Sequence, residues 1–324
     1  MTDLPLVTVM IPTYNQAEYL AGCIDSALGQ DYANLEIIIG NDCSTDRTAE
    51  LLQSLNDPRI RIVNRSRNIG RVANYRSLLQ EHARGEWVLN LDGDDYLLGP
   101  GGISLLVNLT QKDPQTVMAF GQVSSVNGNQ QPGEELPANS GPEVLEGKSF
   151  VLNYWNNDRG LKHAGVLYRR EAAISVGFYE HDIISSDIES LLRLAIEGRG
   201  VRTARTIAAW RHHDDNASAS TNLQARIRNL LLVDTVGASL ESVVDEGVAR
   251  RWRRRMRFRM AYGTVVRLLR FRQESLISDF VREAFPSKKE QLFFVLSPRY
   301  VLRRVLHQLR VLFHCLLVCL LLLF

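Results

Sequence analysis

Two short acidic segments hold the residues of this sequence that are best suited to chemistry. Residues 42–46, the first acidic segment, follow the apolar run 35–40, and residues 92–95, the second acidic segment, follow the apolar run 87–91. Each segment therefore stands where a buried strand is expected to end. In open α/β sheets, ligands bind beyond the carboxyl ends of the strands, and carboxylates there suit a hard divalent cation that bridges phosphates. The two segments together predict a sugar-nucleotide site.

The second acidic segment carries three carboxylates, on Asp92, Asp94 and Asp95. Because side chains alternate along an extended chain, the spacing of two residues puts Asp92 and Asp94 on the same side of it. Three carboxylates beside an apolar strand would repel one another without a cation, which favours a metal site over an acidic surface turn. Magnesium in proteins is typically held by one or two carboxylates, with substrate phosphates and water completing its shell.

Strands that alternate with helices are expected to position these segments. Short apolar, β-branched runs predict strands at residues 6–11, 35–40, 60–63 and 87–91. Apolar residues at helical spacing predict helices at residues 19–28, 46–55 and 72–82. Either Thr45 or Asp46 could cap the second of these helices. The alternation indicates βαβ units and a largely parallel sheet, that is, an α/β fold.

The pattern changes after residue 95. We expect helices at residues 103–109 and 186–197, strands at residues 117–126, 165–169 and 205–210, and an exposed loop at residues 129–142. From about residue 221 the pattern is helical only. The sequence therefore predicts a nucleotide-binding α/β domain over residues 1–220 and a helical region over residues 221–324.

The two regions differ strongly in charge. Residues 221–324 contain 19 Lys and Arg against 8 Asp and Glu, a net charge of +11, whereas the rest of the chain carries −9. Such asymmetry indicates an anionic partner for the second region. The four cysteines, at positions 23, 43, 315 and 319, show no metal-type pairing except the i, i+4 spacing of the last two. They are expected to be free thiols in a reducing compartment, and the N-terminus has no secretion signal pattern.

Five short motifs occur in an order and spacing typical of one known family. They are PTYN at 12–15, NDCSTD at 41–46, NIG at 68–70, GEWV at 85–88 and LDGDD at 91–95. Ser186 and Asp187, with Leu-Arg-Leu at 192–194, follow them. Together these motifs resemble the family 2 glycosyltransferases, which are inverting enzymes of the GT-A fold, a Rossmann-like and mostly parallel sheet with flanking helices. The resemblance covers roughly residues 5–220, and the region from residue 221 lies outside it.

The resemblance implies a donor site around the first strand. The turn with Pro12, Thr13 and Asn15 would border the base and ribose of a nucleoside diphosphate sugar. Asp42 would accept a hydrogen bond from the N3–H of a uracil-like base, because an ionised carboxylate only accepts. A UDP-sugar is therefore favoured, while the sequence leaves uridine, thymidine and guanosine open.

The second acidic segment is similar to the DxD motif of that family. In this comparison Asp92 approaches the ribose, Gly93 lies within the donor site, and Asp94 coordinates Mg²⁺ or Mn²⁺. The ion would neutralise the charge that develops on the departing diphosphate. Asp95 would assist through water.

Basic residues of the protein are expected to contact the donor as well. Residues 210–218 resemble a segment that closes over the diphosphate in some relatives, so that Arg211 and His213 would contact phosphate. A surface loop is the alternative reading of this segment. Arg71, next to Gly70, would face the nucleotide or, alternatively, only begin a solvated helix.

Asp187 resembles the general base of the family. Inversion in a single displacement needs a carboxylate that takes the proton of the acceptor hydroxyl during the attack. The chain departs from the family pattern at Ser186, where a glutamate is usual, and this leaves the acceptor side open. An N-cap role for Asp187 is the alternative, with Asp182 as the second candidate for the base.

Residues 250–272 contain ten arginines interleaved with aromatic and aliphatic residues. Such a basic amphipathic helix suits the anionic inner face of a membrane, and since no nucleic-acid motif accompanies it we expect no nucleic-acid partner. The apolar run 311–324 is shorter than the roughly 20 residues that a helix needs to cross a bilayer. We expect a cytoplasmic protein attached peripherally to the inner face of the cell membrane, or burial of the run on a partner. The sequence leaves open whether the protein forms a homo-oligomer.

The expected activity is transfer of a sugar, with inversion, from a nucleoside diphosphate sugar to an acceptor hydroxyl. The acceptor would be a saccharide or a lipid-linked molecule in surface polysaccharide or glycolipid assembly. Three alternatives remain: a polyprenyl-phosphate glycosyltransferase, a sugar nucleotidyltransferase, and an inactive sugar-nucleotide-binding scaffold subunit. The turn at residues 12–15 disfavours the nucleotidyltransferase, which needs a glycine-rich basic loop there. The departure from the family pattern at Ser186 leaves the inactive scaffold subunit as an alternative.

Overall fold

The computed structural model describes residues 4–127, 141–154, 161–213, 216 and 222–297. Within these ranges nine strands form one sheet. They are β1 (Val7–Thr13), β2 (Leu35–Asn41), β3 (Ile60–Asn64), β4 (Trp87–Asn90), β5 (Tyr96–Leu97), β6 (Thr116–Asn127), β7 (Glu143–Glu146), β8 (Val166–Arg169) and β9 (Arg199–His212). Their order is β3-β2-β1-β4-β8-β6-β9-β5, and β7 pairs with β9.

The first four strands form a parallel block. β1 pairs in parallel with β2 and with β4, and β2 pairs in parallel with β3. All seven residues of β1 are buried, as expected for a parallel sheet that is covered on both faces. Because the register aligns Thr13 with Asn41 and Met10 with Asn90, the carboxyl ends of β1, β2 and β4 lie at one edge. Both acidic segments begin at this edge, and the predicted α/β fold is confirmed.

The remaining strands extend the sheet in mixed directions. β8 pairs antiparallel with β4 and with β6, while β9 pairs in parallel with β6 and antiparallel with β5 and β7. β9 extends well beyond the predicted strand at 205–210. The pairing of Tyr96 with Ala209 brings the end of the second acidic segment next to the end of β9. β5 and β7 were not predicted, because β5 has two residues and β7 begins and ends with glutamate.

Seven helices in the described residues up to position 213 accompany the sheet. They are α1 (Ala17–Leu28), α2 (Thr48–Gln53), α3 (Arg71–Ser77), α4 (Gly102–Thr110), α5 (Gly147–Asn153), α6 (Arg170–Ser175) and α7 (Ser186–Ile196). The core packs apolar side chains of α1 and α4, such as Leu20 and Leu106, with strand residues such as Ile37 and Leu89. The helix predicted at 72–82 is interrupted, since α3 continues as a π-helical turn over Leu78–His82.

Contacts between Cα atoms divide the chain into two compact units, residues 1–218 with 238–243, and residues 219–237 with 244–324. The later helices are α8 (Leu223–Arg228), α9 (Leu231–Glu241), α10 (Glu246–Arg270), α11 (Ile277–Ala284) and α12 (Lys288–Val295). In the second unit an apolar cluster packs Leu268 of α10, Phe280 of α11 and Phe294 of α12 together. The predicted helical C-terminal extension is thus confirmed. Among the described helices, none combines the length and apolar character needed to cross a membrane.

Some sequence-based expectations concern residues outside the described ranges. These are most of the loop at 129–142, the apolar run 311–324 with Cys315 and Cys319, and several residues of the segment 210–218. The other two cysteines, Cys23 and Cys43, are free thiols, and Cys23 is buried.

Candidate active site

A cavity of about 640 Å³ lies at the carboxyl ends of β1, β2 and β4. Its wall includes ten residues that the sequence predicted for the site: Pro12, Thr13, Asn15, Asp42, Arg71, Asp92, Asp94, Asp95, Asp187 and His213. Two other predicted residues, Gly93 and Arg211, are not part of the wall. The fold therefore brings both acidic segments and the candidate base into one cleft, although they come from distant parts of the sequence.

Asp42 holds the turn that precedes α3. Its two carboxylate oxygens accept hydrogen bonds from the backbone N–H groups of Ile69 (2.8 Å) and Gly70 (2.9 Å). Gly70 has a φ of 90°, in the left-handed region that favours glycine. The carboxylate is nearly buried, and each oxygen retains acceptor capacity for one more donor. Asp42 thus fixes the neighbouring turn and still borders the cavity.

Asn15 and Asp46 tie the turn after β1 to the turn after β2. The Asn15 side-chain oxygen accepts a hydrogen bond from the Thr45 N–H at 2.7 Å. The Asp46 carboxylate accepts from the N–H of Ala17 (3.1 Å) and of Thr48 (3.0 Å), the first residues of α1 and α2. Asp46 therefore satisfies backbone donors at two helix starts, which are otherwise unpaired. The helix predicted at residues 46–55 is shorter in the structure, where α2 covers Thr48–Gln53.

Gly93 allows the second acidic segment to approach β1 closely. A Cβ atom at this position would lie 2.6 Å from Oε1 of Gln16 and 2.9 Å from Oγ1 of Thr13. The Gly93 N–H donates to the carbonyl of Pro12 at 3.2 Å. A side chain at residue 93 would displace the turn after β1, so glycine sets the position of Asp92 and Asp94 without lining the cavity itself.

Asp92 is held by a network of buried polar side chains. Its Oδ1 accepts hydrogen bonds from the Tyr75 hydroxyl (2.7 Å) and from the Asn90 amide (3.0 Å). The same amide group lies 3.2 Å from Nδ1 of His163, whose Nε2 lies 2.7 Å from the Tyr179 hydroxyl. Since the Asn90 nitrogen can only donate, Nδ1 is the acceptor and Nε2 carries the proton. Burial lowers the pKa of His163, which agrees with this neutral tautomer.

Asp94 and Asp95 lie next to each other but make different contacts. Asp94 is 7% exposed, and its Oδ2 lies 2.7 Å from Nε2 of His213 and 3.3 Å from the Asn216 amide. The Asp95 carboxylate accepts the backbone N–H of Arg211 at 2.9 Å. Burial, followed by repulsion from Asp94 and Asp92, raises the pKa of Asp95 well above its usual value. The cluster therefore has an excess of negative charge that a bound cation would relieve.

The donor set of this cluster fits a hard cation that is shared with a substrate. In the described part of the chain, no group of three or more His, Cys, Asp or Glu side chains is arranged as a complete metal site. Asp94 nevertheless offers a nearly buried carboxylate on the cavity wall. One carboxylate, completed by phosphates and water, matches the way in which Mg²⁺ is usually bound.

Arg211 and Arg71 position other parts of the chain. The Arg211 side chain donates from Nε to the carbonyl of Asp94 at 2.9 Å. Its guanidinium carbon lies 5.0 Å and 5.1 Å from the ring centres of Tyr19 and Tyr96. The Arg71 guanidinium, on the cavity wall, donates to the carbonyls of Ile183 (3.2 Å) and Ile184 (3.1 Å). Arg71 thus links the start of α3 to the loop before α7.

Asp187 lies in the first turn of α7, and its partly exposed side chain lines the cavity. Ser186, where the sequence departs from the expected family pattern, is completely buried and is not part of the cavity wall. Asp182, the second candidate for the base, is exposed and outside the cavity wall. Further along α7, Arg193 pairs with Glu189 and donates to the carbonyls of Val176 and Gly177, which anchors the helix.

Several residues of the cavity wall were missed by the sequence analysis. They include Tyr19, Tyr75, Lys162 and His163. The ring of Tyr19 stacks on His213, with centroids 5.3 Å apart. Lys162 and His163 lie two to three residues before the strand predicted at residues 165–169, and this position is the one sequence signal that could have identified them. Tyr75 looked like an ordinary apolar-face residue of a helix.

Comparisons with known proteins show the family and the fold of this chain. The family model "Glycosyl transferase family 2" matches residues 8–177. The chondroitin synthase of Pasteurella multocida (strain Pm70) is 31% identical over 234 residues, which cover 71% of this chain and 23% of that protein. The chain thus spans less than a quarter of the length of this relative.

Solved structures share the fold. The structure of S. aureus TarS 1–349 in complex with UDP-GlcNAc has a TM-score of 0.59 and 16% identity, and covers 86% of this chain and 82% of that one. The mannosyltransferase PcManGT from Pyrobaculum calidifontis, in complex with GDP-Man and Mn²⁺, has a TM-score of 0.53 and 16% identity, and covers 95% and 88% of the two chains. The family match extends over more than half of the sequence, and the chain therefore belongs to glycosyl transferase family 2.

Proposed function

We propose that this protein transfers a sugar from a nucleoside diphosphate sugar to an acceptor hydroxyl, with inversion at the anomeric carbon. The observation that carries the proposal is the meeting of Asp42, Asp92, Asp94 and Asp187 on the wall of one cavity. The volume of about 640 Å³ is within the range of small-molecule sites. One relative is named as a chondroitin synthase, and one structure of the same fold contains UDP-GlcNAc. Both support a sugar nucleotide as the substrate.

The donor is proposed to lie along the carboxyl edge of the parallel strands. Asp42 would accept an N–H of the base, with its position fixed by the bonds to Ile69 and Gly70. Asp92, oriented by Tyr75 and Asn90, would accept a ribose hydroxyl. A carboxylate whose rotamer is already held loses little freedom when the ligand arrives, and this favours binding.

The diphosphate is proposed to lie near Asp94. A divalent ion, Mg²⁺ or Mn²⁺, held by Asp94 would neutralise the charge that develops on the leaving diphosphate. His213, which now pairs with Asp94 and stacks on Tyr19, would turn toward phosphate oxygen. Arg211 would keep its contact with the Asp94 carbonyl, and so hold the segment rather than the ligand.

Asp187 is proposed as the general base. In the transfer step the acceptor oxygen forms a bond to the anomeric carbon while the bond from that carbon to the diphosphate oxygen breaks. The acceptor proton passes to the Asp187 carboxylate, and the bonding electron pair leaves with the diphosphate. The bond from Arg71 to the carbonyls of Ile183 and Ile184 would keep the loop before Asp187 in place during the reaction.

A UDP-sugar donor and an acceptor in surface polysaccharide or glycolipid assembly are the proposed substrates. Chondroitin synthase is a polysaccharide synthase by name, and a TarS structure contains UDP-GlcNAc, which supports this choice. Residues 1–220 would carry the transfer, and residues 221–324 would serve in attachment.

The second unit is proposed to bind the anionic inner face of the cell membrane, so that the protein is peripheral to it. Leu292 and Phe293 of α12 are 60% and 65% exposed, and Leu296, directly after the helix, is 64% exposed. Lys288 and Lys289, at the start of α12, are exposed as well. Apolar side chains next to cations suit a lipid interface, where each nearby basic residue contributes about 1 kcal/mol.

A thermal-shift screen tests the proposed activity directly. UDP, GDP and dTDP are each added with and without MnCl₂, and one of them is expected to raise the melting temperature by a few degrees when Mn²⁺ is present. Release of that nucleoside diphosphate from its sugar nucleotide should then be detectable by chromatography. A protein that is stabilised by none of the three and releases none from their glucose, N-acetylglucosamine or mannose derivatives would contradict the proposal.

A further inference from the structure

Lys162 is the side chain of the cavity wall whose charge the proposed mechanism leaves unused. Its ammonium nitrogen lies 4.1 Å from the ring centre of Trp210, and both residues line the cavity. None of the ion pairs among the described residues includes Lys162. A lysine over an aromatic face has its charge partly compensated but keeps its hydrogen-bond donors. This cation is therefore available to an anion inside the cavity.

Both partners of this contact are held by rigid structure. The carbonyl of Lys162 accepts the N–H of Gly165 at 3.0 Å, which closes the helical turn His163–Gly165. The adjacent His163 is fixed between Asn90 and Tyr179. Trp210 belongs to β9, where it is paired with Ser125 of β6. The ammonium group is thus positioned in advance, which lowers the entropic cost of ligand binding.

The surroundings of Lys162 place its charge on the side of the second acidic segment. Burial lowers the pKa of the Lys162 ammonium, and the negative charge of Asp95 partly offsets this. The pKa of His212 is lowered by burial, and then by the positive charges of Lys162 and His213. Lys162 therefore brings a positive charge to the part of the cavity wall that also holds Asp95. A ligand oxyanion that lies next to Lys162 in the cavity would accept hydrogen bonds from its ammonium group.

We propose that Lys162, seated on Trp210, forms an anion subsite that binds an oxyanion of the sugar nucleotide. Two groups of the sugar nucleotide can supply this oxyanion: the diphosphate of the donor, or a carboxylate on the transferred sugar. The subsite rests on the proposed function, because it takes a group of the same ligand. A charge-assisted hydrogen bond of this kind is among the stronger ones in proteins.

The test uses the full chain and the variants Lys162→Met and Lys162→Arg, with Lys112→Met as the matched control. Methionine keeps the apolar stem on Trp210 and removes the charge, whereas Lys112 is exposed and outside the cavity. Calorimetry in MnCl₂ measures the affinities of UDP, GDP, UDP-glucose and UDP-glucuronate. Melting temperatures of all variants confirm that they fold.

If the donor diphosphate supplies the oxyanion, the Lys162→Met variant should bind the nucleoside diphosphate about 10- to 50-fold more weakly than the wild type does. This applies to whichever of the nucleoside diphosphates the wild type binds. Lys162→Arg should restore most of this loss, and Lys112→Met should behave like the wild type. If a sugar carboxylate is the source, the loss should be confined to UDP-glucuronate.

Wild-type affinity of Lys162→Met for all four ligands would overturn the subsite and leave the proposed function intact. Absence of binding by the wild type to every one of these ligands, and to dTDP measured in the same way, would overturn both proposals together. The two failures are therefore distinguished by the behaviour of the unmodified protein.

Discussion

The two acidic segments have similar composition and similar positions after a strand, yet they use their carboxylates in different ways. In the first acidic segment, Asp42 and Asp46 accept hydrogen bonds from backbone N–H groups of their own chain. In the second, Asp92 and Asp94 accept from side chains, including Tyr75 and His213. The first set closes turns and helix starts, and the second leaves charge concentrated at a cavity.

The difference shows how a carboxylate becomes available for a ligand. A backbone N–H at a helix start is an unpaired donor that a carboxylate satisfies permanently. The His213 side chain can rotate away when a stronger partner binds Asp94. Its bond to Asp94 is not one of the backbone hydrogen bonds that hold a helix or a strand together. Carboxylates that remain close together and buried repel one another, as the raised pKa of Asp95 indicates. Two acidic segments that both follow a strand, one with two carboxylates and one with three, therefore have different chemical roles.

Replacing Asp94 should give the largest effect. Asp94→Ala removes the proposed metal ligand, and we expect sugar transfer to fall by about 10³-fold or more, since the charge of the leaving diphosphate would no longer be neutralised. The rate of nucleoside diphosphate release in MnCl₂ measures this. Asp31→Ala, a change outside the cavity wall, is the control. Near-normal turnover by Asp94→Ala would remove the second segment from the chemistry.

Replacing Asp187 should give the next largest effect. Asp187→Asn cannot accept the acceptor proton, so kcat should fall by about 10²- to 10⁴-fold, while affinity for the donor stays near that of the wild type. Asp182→Asn, an exposed neighbour outside the cavity wall, is the matched control. A nearly unchanged kcat in Asp187→Asn would favour a lipid phosphate acceptor, which needs less help from a base.

Replacing Asp42 should affect both binding and stability. Asparagine offers one acceptor oxygen, so Asp42→Asn cannot bind the N–H groups of Ile69 and Gly70 as two carboxylate oxygens do. We expect a loss of about 1–3 kcal/mol in the free energy of unfolding and nucleotide affinity about 10-fold weaker. Denaturant unfolding and calorimetry measure the two quantities. A variant with weaker binding but unchanged stability would show that the turn does not depend on Asp42.

Replacing Asp46 should change stability only. Asp46→Ala removes the acceptor for Ala17 and Thr48, and the loss of a helix-capping carboxylate costs about 1 kcal/mol, while transfer activity should stay within about twofold. Burial acts to raise the pKa of Asp46, but hydrogen bonds from Thr48 and Ala17 outweigh it and lower the pKa. The stabilisation is therefore present above the usual pKa of aspartate, about 3.9, and is lost as the pH falls through the lower folded value. A large loss of activity in a folded Asp46→Ala protein would contradict this contrast.

Periodicity predicted the parallel half of the sheet well, because buried parallel strands are continuous apolar runs with β-branched residues. The strands β1, β2 and β4 follow this rule, whereas β3, at the edge of the sheet, is only partly buried. The helices α1 and α4 were predicted from apolar residues at helical spacing. The strands β5 and β7 escaped it, since a two-residue strand and one that begins and ends with glutamate have no such pattern. The π-helical turn at Leu78–His82 also has no signature in a helical apolar face.

By itself the amino-acid sequence determined which strands lie in parallel and that both acidic segments stand at their carboxyl ends, because hydrophobic pattern and strand polarity are local properties. Tertiary structure alone decided which carboxylates face the cavity and which satisfy backbone donors. It also decided that Lys162 and His163 join the site and that Lys162 lies over Trp210, since these positions depend on pairing between β9, β8 and β6. Contacts across such distances follow from the packing of the whole sheet, and no short stretch of sequence encodes them.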